Sequence, residues 1–282
     1  MHFTRLLGVV VVVMSCGALA ADGGLPRLKW VLTPYRTPLE LQARYRPLAE
    51  RLGARVGVEV ELEVAPSFGA AAQMLLDGRA DFGELTPFAF ATGMEKGKLV
   101  PLAADAMVGR PGNGLVLVRA DSAIRSVEQL AGVRFGFVDA ASSTGYLGPW
   151  ATLRNKGLSP KKLNWRFVGT HDGVLDELSA GRLDAGAVSS FALENWLKEK
   201  KVDASRFRIL IETARMPGDV LCARPDLSPE TIEALRRELV ALSWEKPDDR
   251  KALEPTGRKR FVPVDVKEYG QLLRISAWIE AN

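Results

Sequence analysis

Three consecutive hydroxyl side chains stand where a strand pattern gives way to a helix pattern. After the apolar run V-R-F-G-F-V, the stretch D-A-A-S-S-T-G-Y-L-G-P-W contains Ser142, Ser143 and Thr144. The first turn of a helix has N–H groups without intrahelical partners and carries a partial positive charge. The stretch is therefore either a capped helix start or a cradle for an anion.

Other strand ends carry similar residue types. His171 follows W-R-F-V within G-T-H-D-G, Thr86 follows F-G-E-L, and Tyr35 follows the first predicted strand. In open parallel sheets, ligands bind beyond the carboxyl ends of the strands, so these residues should share one cleft. We expect a site of hydroxyls, one imidazole and aromatic rings, with little charge. Such a site binds an oxyanion by hydrogen bonds that contribute about 1.5–3 kcal/mol each.

Motifs for catalysis are missing from the sequence. It has no G-x-S-x-G elbow, no H-E-x-x-H or C-x-x-C metal pattern, no G-x-G-x-x-G fingerprint and no P-loop. We expect that the protein is not an enzyme and that it binds no metal and no cofactor. A less favoured alternative is a hydrolase in which Ser142 or Ser143 is the nucleophile and His171 the base.

Strand-like and helix-like segments alternate along the chain, which favours α/β lobes with mostly parallel sheets flanked by helices. The segments D-G-R-A-D-F-G-E-L and A-G-R-L-D-A-G-A-V share a G-R-x-D turn between a helix and a strand, as two similarly built lobes would. The predicted lobes are residues 25–115 with 212–282, and residues 116–211. The first lobe is thus discontinuous, with the second inserted into it.

The N-terminal segment indicates export. Residues 1–20 have a basic start, an apolar stretch and a small-residue cleavage site, which is typical of a secretory signal peptide. Cys16 lies in a weak lipoprotein-like box, so a lipid anchor is the alternative. Cys222 would be the one cysteine left after cleavage, which excludes an internal disulfide.

The charge of the chain points away from nucleic acid. The net charge is +4, from 38 basic and 34 acidic residues, and basic clusters are not interleaved with aromatics. We interpret the cluster Arg258-Lys259-Arg260 as a solvated face.

Two strings carry a resemblance to a known family. F-V-D-A-A-S-S-T-G-Y-L-G-P and V-G-T-H-D-G-V-L resemble the phosphonate, phosphite and phosphate periplasmic binding proteins of ABC transporters. Further segments occur in the family's order, so the resemblance covers nearly all of residues 28–275. It implies a type II periplasmic-binding-protein fold, in which two lobes close around a ligand by a hinge motion.

The resemblance also implies residue roles. Ser142, Ser143, Thr144 and His171 would hold an oxyanion, Thr86 would face it from the first lobe, and Tyr35 would line the cleft. Two positions depart from the family pattern: Phe68 stands where many members have tyrosine, and Ser189 stands near where aminoalkylphosphonate binders carry an acidic residue. A small ligand without an amine, such as phosphate, phosphite, methylphosphonate or an arsenic oxyanion, fits these departures.

The implied role is capture of a phosphorus oxyanion in the periplasm and delivery to the membrane subunits of an ABC permease. We expect a monomer, as is usual for a hinge-closing binding protein. The alternative on the same fold is an oxyanion sensor that signals to a membrane kinase. An arsenite sensor would need a thiol, and Cys222 is its candidate.

Overall fold

The computed structural model of the protein describes residues 25–109 and 112–281; the expected signal peptide and Cys16 lie outside them. The strands in this part of the chain are β1 Arg27–Leu32, β2 Glu59–Val64, β3 Phe82–Leu85, β4 Val100–Asp105, β5 Asn113–Arg119, β6 Arg134–Phe137, β7 Asn164–Phe167, β8 Ala185–Ser189, β9 Phe207–Arg215, β10 Val220–Ala223 and β11 Phe261–Val262. The helices are α1 Pro38–Val56, α2 Phe68–Leu76, α3 Pro87–Gly97, α4 Gly148–Asn155, α5 His171–Ser179, α6 Ser190–Lys200, α7 Pro229–Ala241, α8 Pro247–Leu253 and α9 Val266–Ala281. Of these described helices, none combines the length and the apolar composition needed to cross a membrane.

The described strands form two sheets, in the orders β11-β4-β10-β3-β1-β2 and β7-β6-β8-β5-β9. Strands β2, β1 and β3 are parallel, as are β7, β6 and β8. Strand β10 is antiparallel between β3 and β4, and β5 is antiparallel between β8 and β9. The predicted two-lobed α/β fold is confirmed, but the sheets are mixed rather than mostly parallel. The reason is that β5 and β10 are the first strands after each crossover and start at the edge where the parallel strands end.

The repeated G-R-x-D segments have the same structure in both lobes. Gly78 and Gly181 follow α2 and α5 with φ values of 69° and 73°, the left-handed conformation that glycine adopts most easily. Asp81 then accepts a 2.7 Å hydrogen bond from a backbone N–H of β1, and Asp184 accepts one of 2.9 Å from β6. Each aspartate thus fixes its strand to the parallel neighbour in its own sheet.

The two connections between the lobes lie side by side. The N–H of Asp105 donates to the carbonyl of Asp219 at 2.9 Å, and the N–H of Met216 donates to the carbonyl of Gly112 at 2.9 Å. A Cβ atom on Gly218 would lie 2.0 Å from the carbonyl oxygen of Asp105, so this close approach requires glycine. The lobe boundaries at 115/116 and 211/212 stay a prediction. They fall within β5 and β9, and both of these strands belong to the second sheet.

Candidate functional site

A cleft of about 280 Å³ lies between the lobes and is lined by residues of both. Many of its lining residues come from the loops and helix starts that follow the strands of the two sheets. The eight residues that the sequence analysis singled out all line this cleft: Tyr35, Phe68, Thr86, Ser142, Ser143, Thr144, His171 and Ser189. The structure therefore brings the candidates together, and their role in binding stays a prediction.

The hydroxyl stretch forms a tight helical start after β6. Residues Ser143–Leu147 make a π-helical turn that continues into α4, and the hydroxyl of Ser142 accepts a 3.0 Å hydrogen bond from the N–H of Gly145. A Cβ atom on Gly145 would lie 2.4 Å from the side chain of Val138 and 3.0 Å from the ring of His171. Glycine is required here because the turn packs directly on the strand end and on the imidazole.

Two hydroxyl groups at the cleft bridge the lobes. Thr86 begins α3 and donates a 2.6 Å hydrogen bond to the carbonyl of Ala141. In the opposite direction, the N–H of Phe88 donates to the hydroxyl of Ser143 at 2.9 Å. A hydroxyl that accepts a hydrogen bond can still donate its own proton, so Ser143 can bridge the lobes and bind an anion at the same time.

His171 is a neutral hydrogen-bond donor. It opens α5, is 8% exposed, and its Nδ1 accepts a 3.1 Å hydrogen bond from the N–H of Ser189. Since Nδ1 accepts, the proton of the neutral ring is on Nε2. Burial lowers the pKa of His171 from 6.5 to about 4, so the ring is uncharged at neutral pH. The group offers an N–H to a ligand without adding a charge.

Phe68 and Ser189 complete the wall around His171. Phe68, the first residue of α2, is 2% exposed and packs among apolar residues of the second lobe, with its ring centroid 6.3 Å from that of His171. The hydroxyl of Ser189 accepts a 3.0 Å hydrogen bond from the N–H of Ala192 and so caps α6. Helices α3, α5 and α6 and the π-helical turn thus all begin at the cleft with a serine or threonine cap.

The expectation of little charge at the cleft was wrong. Arg36, whose side chain is 6% exposed, lies 2.7 Å from Glu199 and 3.6 Å from Asp172, so it forms ion pairs from the first lobe to the second. Burial raises the pKa of Asp172, and the positive charge of Arg36 opposes this shift. No local pattern in the sequence indicates this cluster, because its members are far apart in the chain.

The interpretation of Arg258 as part of a solvated face was also wrong. Lys259 and Arg260 are exposed, but Arg258 is 3% exposed and lines the cleft. Its guanidinium contacts the Glu84 carboxylate and lies 3.6 Å from a carboxylate oxygen of Asp105. The arginine lies in an irregular segment, where no periodic pattern distinguishes a buried side chain from its exposed neighbours.

Comparisons with known proteins agree with this architecture. Residues 30–269 match the family described as "ABC transporter, phosphonate, periplasmic substrate-binding protein". The "Phosphate-import protein PhnD" of Mycolicibacterium smegmatis is 26% identical over 234 residues, which cover 77% of this chain and 72% of that protein. The "Probable ABC transporter phosphite binding protein PhnD1" of Prochlorococcus marinus is 26% identical over 161 residues, 55% of this chain and 54% of that protein.

A solved structure shows the same fold. PhnD1 from Prochlorococcus marinus, in complex with methylphosphonate, matches with a TM-score of 0.82 over 91% of this chain and 99% of that chain, at 20% identity. The family match spans most of the chain and includes both lobes and the cleft. The chain therefore belongs to the family of periplasmic substrate-binding proteins of phosphonate ABC transporters.

Proposed function

We propose that the protein captures a small phosphorus oxyanion, namely phosphate, phosphite or an alkylphosphonate, in the cleft between its lobes. The observation that carries this proposal is the convergence of four capped helical starts and the neutral His171 on one cleft. Helix N-termini and hydroxyl groups donate hydrogen bonds to an anion from fixed positions, which suits a tetrahedral ligand.

The ligand would bind with both lobes in contact with it. Ser143, Thr144 and His171 belong to the second lobe, and Thr86 and Tyr35 belong to the first. A ligand that bonds to both sets stabilises the arrangement in which the lobes meet, and that arrangement is what a permease would recognise. We therefore propose delivery to the membrane subunits of an ABC permease, from the periplasm after cleavage of the N-terminal leader.

We propose no catalytic role for the serines and His171. A general base needs an accessible lone pair, but Nδ1 of His171 already accepts a hydrogen bond from Ser189 and Nε2 carries the proton. The hydroxyl of Ser143 is bonded to the N–H of Phe88 in the other lobe. These contacts support binding by hydrogen bonds rather than a Ser-His hydrolase.

The arsenite sensor gains no support from Cys222. This residue is fully buried in the middle of the first sheet, and its Sγ lies 3.8 Å from the carbonyl of Gly83. Burial raises the pKa of the thiol well above its ordinary value, which keeps it protonated and unreactive. We expect arsenite to leave the melting temperature unchanged and Cys222→Ala to leave oxyanion binding unchanged.

The experiment is a thermal-shift and calorimetric panel in buffers without phosphate, with phosphate, phosphite, methylphosphonate, sulfate, arsenate and arsenite as ligands. A ligand at a hundred times its Kd stabilises the folded protein by about 2.7 kcal/mol, or roughly 5–10 °C in melting temperature. Thr144→Val should weaken binding about 10- to 100-fold by removing one hydrogen bond to a charged ligand. Ser126→Ala removes an exposed hydroxyl away from the cleft and is the matched control. Absence of a shift with every phosphorus oxyanion would refute the proposal.

A further inference from the structure

A chain of hydrogen bonds runs from the cleft into the core of the first lobe. The hydroxyl of Tyr35 donates to the hydroxyl of Tyr45 at 3.2 Å, and Tyr45 donates to Oε2 of Glu84 at 2.5 Å. Tyr45 is 1% exposed and Glu84 is 4% exposed, whereas Tyr35 lines the cleft and packs against apolar residues of both lobes. The chain therefore connects a buried carboxylate to the wall of the binding site.

The direction of this chain is fixed at its buried end. Glu84 forms an ion pair with Arg258 through its other carboxylate oxygen, and an ionised carboxylate can only accept hydrogen bonds. Tyr45 must therefore donate to Glu84, and burial raises the pKa of Tyr45 well above its ordinary value, so it keeps its proton. The oxygen of Tyr45 is then free to accept the hydrogen bond from the hydroxyl of Tyr35.

As a result, Tyr35 presents lone pairs rather than a proton to the cleft. A tyrosine hydroxyl has one proton, and Tyr35 already uses it in the hydrogen bond to Tyr45. The other polar groups considered above, Ser143, Thr144 and Nε2 of His171, can all donate hydrogen bonds to a ligand. Tyr35 is thus an enforced acceptor opposite a set of donors.

We propose that Tyr35 selects an oxyanion that carries a proton, and thereby favours phosphonates and related phosphorus acids over sulfonates. The proposal rests on the proposed function and names the ligand chemistry of the same cleft. A phosphonate monoanion has a P–OH group that can donate to Tyr35. A sulfonate has the same shape and charge but no proton, so its third oxygen would face the lone pairs of the tyrosine.

Carboxylates at the cleft are the competing acceptors. Glu84 lines the cleft as well, but its two oxygens are engaged by Tyr45 and Arg258. Asp172 is paired with Arg36 at 3.6 Å, and Asp219 lies 3.7 Å from Arg258. Glu254 also lines the cleft but is exposed. The variant Asp219→Asn separates the contribution of Asp219 to ligand preference from that of Tyr35, because the amide removes the negative charge and keeps the side-chain shape.

The test compares two ligands, methylphosphonate, which carries a P–OH proton, and methanesulfonate, which carries none. Calorimetry at pH 6 with the full protein gives the Kd of each. We expect the wild type to prefer methylphosphonate by at least about 100-fold. Tyr35→Phe should weaken methylphosphonate binding about tenfold, because its P–OH group loses an acceptor. It should leave methanesulfonate binding the same or tighter, because the opposing lone pairs are gone, so the preference falls by about tenfold or more. Tyr45→Phe should lower the preference as well, because Tyr35 can then turn its proton to the ligand and methanesulfonate binds more tightly.

The controls separate this inference from the proposed function. Tyr269→Phe removes a buried hydroxyl that bonds to Gly218 outside the cleft, so it should leave the preference unchanged. A preference that is unchanged in Tyr35→Phe, or one that only Asp219→Asn lowers, overturns the selection by Tyr35 even if phosphorus oxyanions bind. Failure of the wild type to bind methylphosphonate, phosphite and phosphate overturns the proposed function and the selection with it. Tyr35→Phe alone decides the matter if Tyr45→Phe does not fold.

Discussion

The buried imidazole of His171 makes the stability of the ligand-free protein depend on pH. Its pKa is about 4 in the folded protein and 6.5 in the unfolded chain, so the unfolded state binds more protons between these values. Stability contributed by the neutral ring is therefore complete above pH 6.5 and is lost as the pH falls toward 4. The full loss is roughly 3 kcal/mol, and about 2 kcal/mol of it falls between pH 7 and pH 5.

The assay compares the wild type with His171→Gln, which keeps an N–H donor at the cleft and does not titrate. Urea unfolding at pH 7 and pH 5, in buffers without phosphate, gives the free energy of unfolding of both proteins. Carboxylates such as Asp172, whose pKa is raised, titrate in both and cancel in the comparison. We expect the wild type to lose about 2 kcal/mol more than the variant over this range.

Equal losses in the two proteins would refute the reasoning, because they would show that His171 is not held neutral by burial. A ¹⁵N spectrum of labelled histidine gives an independent check on the same ring. It should show Nε2 protonated and Nδ1 unprotonated at pH 6, as the hydrogen bond from Ser189 requires. A doubly protonated ring at pH 6 would contradict the assignment directly.

Two further predictions concern the connections and the buried ion pair. Gly218→Ala should lower the free energy of unfolding by 2 kcal/mol or more, on the order of a severe packing clash, because its Cβ would lie 2.0 Å from a backbone oxygen. Gly270→Ala, in a helix and with nothing within 4 Å of its Cβ, should instead stabilise the protein by up to about 1 kcal/mol, and a similar loss in both variants would contradict the packing argument. Arg258→Met should cost about 3–5 kcal/mol because it leaves Glu84 buried without its cation, and adding Glu84→Gln should recover part of the loss in thermal unfolding. No recovery in the double variant would show that the arginine acts mainly by packing.

Local patterns in the sequence were sufficient for the cleft residues that follow strands. Strand ends and helix starts are adjacent in the chain, so the position of Ser143 or His171 at the carboxyl edge of a sheet follows from local periodicity and capping residues. The G-R-x-D segments are similar: a left-handed glycine and an aspartate three residues later, at a helix-strand junction, form the same turn in both lobes. These features depend on contacts within a few residues of each other.

The groups that the sequence analysis missed depend on contacts between distant segments. Glu84 lies in a short buried strand of the first part of the chain, and Arg258 lies beyond the inserted second lobe, so no local pattern relates the two. Tyr45 follows the apolar periodicity of α1, which indicates burial of its ring but says nothing of its hydroxyl. The antiparallel strands β5 and β10 were missed as such because strand direction is set by the crossovers between lobes.

Ser143 can serve lobe closure and ligand binding together, whereas the proton of Thr86 is committed to lobe closure. The hydroxyl of Ser143 accepts the N–H of Phe88 through a lone pair and keeps its proton for a ligand, and Thr86 uses its proton to reach Ala141. Two neutral hydrogen bonds contribute about 1–3 kcal/mol to the contact between the lobes. The ion pairs of Arg36 with Glu199 and Asp172 add to this contact. An anion bound by Ser143, Thr144 and His171 adds charge-assisted hydrogen bonds of the second lobe. The bridging hydroxyls and the ion pairs of Arg36 therefore favour the closed arrangement, and a ligand that also contacts the first lobe strengthens it.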